Sequence, residues 1–191
     1  MAIFLVIDTV GNLKDIVLMI FKKKVEIPVP VEVSNLAKSM GVTCNSFKIV
    51  MDNFNACVLP TGSVFIGDKT FFTLNKEELL AVFAHEFAHN KKRHYWIKIS
   101  AFALLLLAGY TVFNGLPEFM MWYALFAFTS ITMIPVSWYL ELDADGMGKK
   151  FVGAEHMISA LEKTSIDRDQ NEGSESHPPI NARIRALKVS Q

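Results

Sequence analysis

The pentapeptide His85-Glu86-Phe87-Ala88-His89 holds two imidazoles four residues apart with a carboxylate between them. On a helix, spacing i, i+4 sets both rings on one face, one turn apart, where together they can bind one zinc ion. Glu86 projects beside them and can reach a water activated there. A catalytic zinc needs a third protein ligand and an open fourth position. Glu141-Leu142-Asp143-Ala144-Asp145 offers candidates, because Glu141 and Asp145 again share a helical face. One of these carboxylates can bind metal while the other holds a ligand imidazole in the correct tautomer. The plain reading of this cluster is an acidic helix end near headgroups or near Lys149 and Lys150. A third cluster, His177-Pro178-Pro179 followed by Arg183, closes a polar loop. A histidine held there by two prolines is placed to act on a bound substrate.

These residues need a scaffold. Asn75-Lys76-Glu77-Glu78 is a capping-box pattern that predicts the start of the helix carrying His85 and His89. Between the first and second clusters lie two uncharged runs, Ile99 to Pro117 and Phe119 to Leu140. Each is long enough for a membrane-spanning helix. The short connector Asn114 to Glu118 makes them antiparallel neighbours, so a hairpin over 97–140 brings the two ligand clusters together. Tyr95 and Trp96 then share one membrane face with Trp138 and Tyr139; Tyr110, Phe113, Trp122 and Tyr123 lie near the other. This is the aromatic-belt pattern. Lys91, Lys92, Arg93 and Lys98 before the first uncharged run, and Lys149 and Lys150 after the second, put both termini in the cytoplasm by the positive-inside rule. The alternative is a pair of buried helices in a soluble core, but soluble helices rarely stay uncharged this long.

Elsewhere, Val25 to Val33 reads as extended or linking chain, and Ser34 caps a short helix ended by Gly41. Phe47 to Met51, Val58-Leu59 and Val64 to Ile66 read as strands, with a turn at Pro60 to Ser63. Gly153 to Lys163 and Ile180 to Val189 read as helices, with a polar loop over Ser165 to Ser176. Residues 1–24 form an apolar N-terminal segment broken by Asp8, Lys14 and Asp15, too interrupted to span a bilayer. They read as an interfacial helix or one packed on the protein's own core, and not as a cleavable signal peptide. Residues 25–191 make one domain interrupted by the hairpin. The 191-residue chain has zero formal net charge, so nothing in its bulk charge points to nucleic acid. Its apolar share of 51% and mean hydropathy of +0.29 are high for a soluble domain. Cys44 and Cys57 match no zinc-ribbon spacing and read as reduced or buried thiols.

Together these motifs resemble the HtpX-type membrane zinc metalloproteases, related to the CAAX prenyl proteases. The likeness rests on Asn55-Ala56-Cys57-Val58-Leu59-Pro60, Gly62 to Ile66, HEFAH, ELDAD, and SHPP with Arg183, in that order. It implies an α+β, mainly helical fold: a gluzincin-type protease domain with a small β-sheet, its edge strand near the active site, and an inserted two-helix transmembrane hairpin. It implies one Zn2+ per chain bound by His85, His89 and Glu141, with Glu86 as catalytic base and Asp145 supporting the first histidine. It further implies that His177 stabilises the oxyanion, that Arg183 organises that region, and that Asn55 and Ala56 pair with substrate backbone. The chain departs from the family's usual pattern at Cys57, where phenylalanine is common, and at Gly146 after the acidic motif.

The expected function is a membrane-anchored zinc endopeptidase. It would hydrolyse peptide bonds of membrane or membrane-associated proteins, with protein quality control as the implied role. The expected location is the cell (inner) membrane, multi-pass, with the active site facing the cytoplasm. The expected partners are the lipid bilayer and protein or peptide substrates, with no nucleic acid; oligomeric state is not legible. A proteolytically silent zinc-binding scaffold or regulator is the alternative, against which the intact Glu86 argues. A soluble peptidase whose apolar helices form its core is another.

Overall fold

The computed structural model describes residues 19, 21–164 and 172–189. The N-terminal segment therefore lies mostly outside the described residues, as does the first part of the Ser165–Ser176 loop.

Strand β1 (Lys24–Ile27) opens the described body, where the valine- and proline-rich stretch was expected only to be extended. It is a strand because it pairs antiparallel with β2 (Ser46–Val50), from Lys24 opposite Val50 to Ile27 opposite Phe47. Helix α1 (Val31–Met40) starts three residues before the expected cap at Ser34. Pro30 precedes it with φ −57°, and its carbonyl accepts the Ser34 N–H as an early helical bond. Gly41, at φ 69°, ends it in the left-handed conformation that glycine adopts without penalty.

Strands β3 (Ala56–Val58) and β4 (Ser63–Gly67) form an antiparallel hairpin, and β4 runs parallel to β2. The sheet order is β1-β2-β4-β3, so β3 is an edge. Alternation divides the side chains between two faces. Phe47, Ile49, Val64 and Ile66 point to one core, with Phe83, Ala84, Phe87 and Ala88 across from them. Val50, Cys57 and Phe65 point to the other side, against Met19.

After β4 comes α2 (Asp68–Thr73), a short helix that the sequence reading passed over. Helix α3 (Lys76–Lys91) follows, and its capping box is complete. Asn75 Oδ1 accepts from the Glu78 N–H at 2.9 Å, and Glu78 Oε2 accepts from the Asn75 N–H at 2.9 Å. Helices α4 (His94–Phe113) and α5 (Glu118–Val152) form the apolar hairpin. Both are long and apolar enough to cross a membrane, and only 11% and 17% of their most apolar stretches are buried. A soluble core helix would be mostly covered. The uncharged part of α5, Phe119 to Leu140, spans roughly 33 Å at 1.5 Å per residue, close to the ~30 Å of a bilayer's hydrocarbon. The helix then continues into the protease body. Helix α6 (Ala154–Thr164) packs on α3, and α7 (Ile180–Val189) packs on α6 and α5, in a cluster that includes Ala81, Met157, Leu161, Ile184 and Leu187.

The chain is not one continuous helix from the HExxH motif into the apolar hairpin. Helix α3 ends at Lys91, Arg93 takes φ 56° and ψ 36°, and α4 restarts at His94.

Candidate metal centre and catalytic cleft

Helix α3 carries His85, Glu86 and His89 on the wall of a cleft of about 1050 Å³. His85 Nε2 and His89 Nε2 face each other at 3.1 Å. Helix α5 brings Glu141 opposite them, with Oε2 3.2 Å from His85 Nε2 and Oε1 3.4 Å from His89 Nε2. The ligand atoms of the three residues all lie within 4.8 Å of one another. Glu141 is fully buried, and among the described residues both of its oxygens lack a hydrogen-bond partner. A buried carboxylate without hydrogen bonds costs several kcal/mol unless positive charge compensates it, and Lys98 Nζ, 3.9 Å from Oε1, is too far to hydrogen-bond it. Two imidazole nitrogens aimed at each other raise the same demand. Two nitrogens and a carboxylate are the donor set of a His2Glu zinc site, so the residues fit that metal.

Each imidazole is held from behind. His85 Nδ1 donates to Asp145 Oδ1 at 2.8 Å, which turns Nε2 towards His89 and Glu141. Asp145 accepts two bonds from Arg183, Nε to Oδ2 and Nη2 to Oδ1, both 2.7 Å. Arg183 sits on the first turn of α7, so this fork ties α7 to α5. Burial acts to lower the pKa of His85, but Asp145 outweighs it and raises it to about 10; burial lowers that of His89. Burial, with the charge of Glu141 behind it, raises Glu86 to about 7, the range of a general base working near neutral pH. The Cys57 thiol is pushed up to about 12 by burial and then by Glu86, so it is not a nucleophile.

His177 reaches the same centre, its Nε2 3.5 Å from Glu141 Oε2. Burial lowers its pKa to about 4, so it is neutral, with Nδ1 2.8 Å from Ser176 Oγ. With Ser176 donating to Nδ1, the Nε2–H remains available to an oxyanion. The loop around it is pinned to the hairpin, since Trp138 Nε1 donates to the Ser174 carbonyl at 2.9 Å. Trp138 thus holds the His177 loop, while Tyr95, Trp96 and Tyr139 stay exposed.

Strand β3 runs along the cleft. Gly67 N–H donates to Asn55 O at 2.7 Å and Leu59 N–H to Ser63 O at 2.9 Å. Alternation along an antiparallel ladder therefore turns the N–H and C=O of Ala56 and Val58 outward. The main chain of Asn55 is already occupied, its N–H by Asn53 Oδ1 at 2.7 Å. Ala56 and Val58, rather than Asn55, present the free edge; Asn55 lines the cleft at the start of the strand.

Three residues at the centre escaped the sequence reading. Lys98 counted as a membrane-flanking charge, yet it is buried with Nζ 3.9 Å from Glu141 Oε1. His94 and Asp143 lie behind His89. Only their proximity to the two motifs could have flagged them.

The profile of peptidase family M48 matches residues 28–190. The fold is similar to the crystal structure of Ste24p from S. mikatae, with a TM-score of 0.67 and 19% identity. That alignment covers 97% of this chain and 56% of the Ste24p chain, so the protein spans little more than half of that relative's length. No curated protein matches the chain significantly. A family match running from the start of α1 to the end of α7, over a His-His-Glu cluster able to hold the metal the family implies, makes this chain a member of peptidase family M48.

Proposed function

We propose that this chain is a membrane-anchored, zinc-dependent endopeptidase that hydrolyses peptide bonds of membrane or membrane-associated proteins. The observation that carries the reading is the convergence of His85, His89 and Glu141 with Glu86 beside them, in a cleft walled by an unpaired strand edge. Zinc held by His85, His89 and Glu141, one ion per chain, supplies a Lewis acid that polarises the scissile carbonyl and acidifies the attacking water.

The rest is done by the chain's own groups. Substrate lies extended along β3, and its backbone pairs with the outward groups of Ala56 and Val58. Pairing through main chain tolerates many sequences, which suits a protease acting on varied or damaged proteins. Glu86 takes the proton of the attacking water and returns it to the leaving amine. The His177 Nε2–H points where the carbonyl oxygen gains charge, and Arg183 holds Asp145 so that His85 keeps its orientation.

The continuity of the apolar span with the helix that carries Glu141 supports a cleft working beside the bilayer surface. The lysines and arginine flanking the uncharged runs favour a cytoplasmic active site in a multi-pass protein of the cell membrane. Protein quality control is the role most in keeping with broad main-chain recognition at that position.

The test is zinc content and casein hydrolysis in detergent for wild type and Glu86→Gln side by side. Zinc in both and hydrolysis in wild type alone is the expected result. Normal turnover by Glu86→Gln would remove Glu86 from the mechanism, and zinc without hydrolysis in wild type would favour the silent scaffold.

A further inference from the structure

His94 stands five residues after His89. In a continuous helix those positions lie about 140° apart around the axis, so the side chains could not meet. The break at Arg93 changes this. Arg93 occupies the left-handed region, which disfavours a residue with a Cβ. In return, His94 folds back until its Nδ1 lies 2.9 Å from His89 Nδ1. On its other side, His94 Nε2 lies 3.1 Å from Asp143 Oδ2. Lys92 pairs with the remaining oxygen, Nζ to Oδ1 at 2.5 Å. His94 itself is buried, while Asp143 and Lys92 reach partly into solvent.

The proton positions follow from the partners. An ionised carboxylate only accepts, so His94 carries its proton on Nε2, facing Asp143. Its Nδ1 is then an acceptor and must receive a proton from His89 Nδ1. That fixes the His89 tautomer with Nε2 bare, aimed at His85 Nε2 and Glu141 Oε1. Asp145 does the same for His85 directly.

We propose that His94, backed by Asp143, is a positioning residue for the metal centre. It locks His89 in the tautomer and orientation that present Nε2 to the metal, and the left-handed Arg93 exists to bring it there. This inference rests on the metal-centre reading above. On it, the three carboxylates of the acidic motif have separate tasks: Glu141 as ligand, Asp145 behind the first histidine, Asp143 behind the second.

The experiment uses the full chain in detergent. Zinc affinity is read by competition with a chromogenic chelator, and thermal unfolding is read on the zinc-free protein. The variants are His94→Asn, His94→Phe and Glu141→Gln. Asparagine Oδ1 occupies the place of histidine Nδ1 along the side chain and still accepts from His89; phenylalanine fills the volume and accepts nothing. Removing such an outer partner weakens metal binding about 10–100-fold, the loss expected for His94→Phe. His94→Asn should recover most of it. Zinc-free stability should rank the other way, because a buried amide with unmet groups costs more than an apolar ring. Wild-type affinity in His94→Phe, or affinities that merely follow stability, would overturn the relay. If Glu141→Gln also binds zinc as wild type does, the metal centre itself falls; if it loses zinc while His94→Phe keeps it, only the relay falls.

Discussion

Arg183→Met perturbs the buried fork behind the first imidazole. Arg183 and Asp145 are both nearly inaccessible, and two bonds of 2.7 Å join them. Hydrogen bonds to charged groups contribute about 1.5–3 kcal/mol each, so the pair represents about 3–6 kcal/mol. Breaking a buried ion pair from one side costs about 3–5 kcal/mol, because the surviving carboxylate stays desolvated. Methionine keeps much of the apolar stem, so little of the loss comes from a cavity. The expected destabilisation is therefore about 3–5 kcal/mol. A second consequence concerns metal. The pKa of His85 is raised by Asp145, against burial and against the positive charge of Arg183. Removing Arg183 removes an opposing charge, so His85 holds its proton more tightly and the metal must compete with it. Zinc affinity should fall at neutral pH and recover as pH rises. Thermal unfolding and chelator competition, across neutral to mildly alkaline pH, measure both effects. Arg183→Lys keeps the charge but not the fork, and should fall between. A Met variant with wild-type melting and wild-type zinc affinity at every pH would refute this account of the fork.

Trp138→Phe removes the bond to Ser174 that pins the His177 loop, and should lower kcat by up to about tenfold, equivalent to ~1.4 kcal/mol, with zinc content unchanged. Unaltered kcat would show that the loop is held without it. Ala56→Pro removes an outward N–H at the start of β3, where the sheet tolerates proline, and should raise KM for peptides about fivefold, the worth of one hydrogen bond of ~1 kcal/mol. Steady-state kinetics in which only kcat changes would count against strand pairing. Glu78 is held down to about 2 because bonds from Lys163, Ser159 and the Asn75 N–H outweigh the opposing push of burial. Its stabilisation is complete above the ordinary carboxyl value of 4.5 and is lost as pH falls towards 2, so the Tm of wild type should drop over that window more steeply than that of Glu78→Gln.

What the sequence made legible was local. The capping box at Asn75 and Glu78, the i, i+4 pairs and the uncharged runs are patterns of period and charge, and each appears where its residues stand. The strand at Lys24–Ile27 was not legible, because a short extended stretch becomes a strand only when a partner lies beside it. Nor was the break at Arg93, since arginine has no preference for positive φ and only surrounding contacts hold it there. That break concealed His94, which a regular helix would carry away from His89. It also turned Lys98, read as a flanking charge, into the cleft. Asn55 and Ala56 were picked as a pair, but only the ladder register shows that alternate residues face the edge.

The two motifs are joined to the hairpin in different ways, and the difference bears on how the membrane meets the chemistry. On the first side the connection is broken: α3 and α4 are separate helices with Arg93 between them. On the second it is unbroken, because the single helix α5 carries the apolar span, Trp138, Glu141, Asp143 and Asp145. Glu141 therefore shares a helix with the apolar span, while His85 and His89 sit on a separate helix packed against the sheet. What keeps the two halves in register is the contact of α5 with α3. A Cβ at Gly148 would lie 3.2 Å from the His85 main-chain nitrogen, so the two backbones meet about as closely as they can beside the first ligand. The fork from Arg183 to Asp145 clamps the same place from α7. The metal centre is thus assembled at a tight interhelical contact that the hairpin separates in sequence and closes in space.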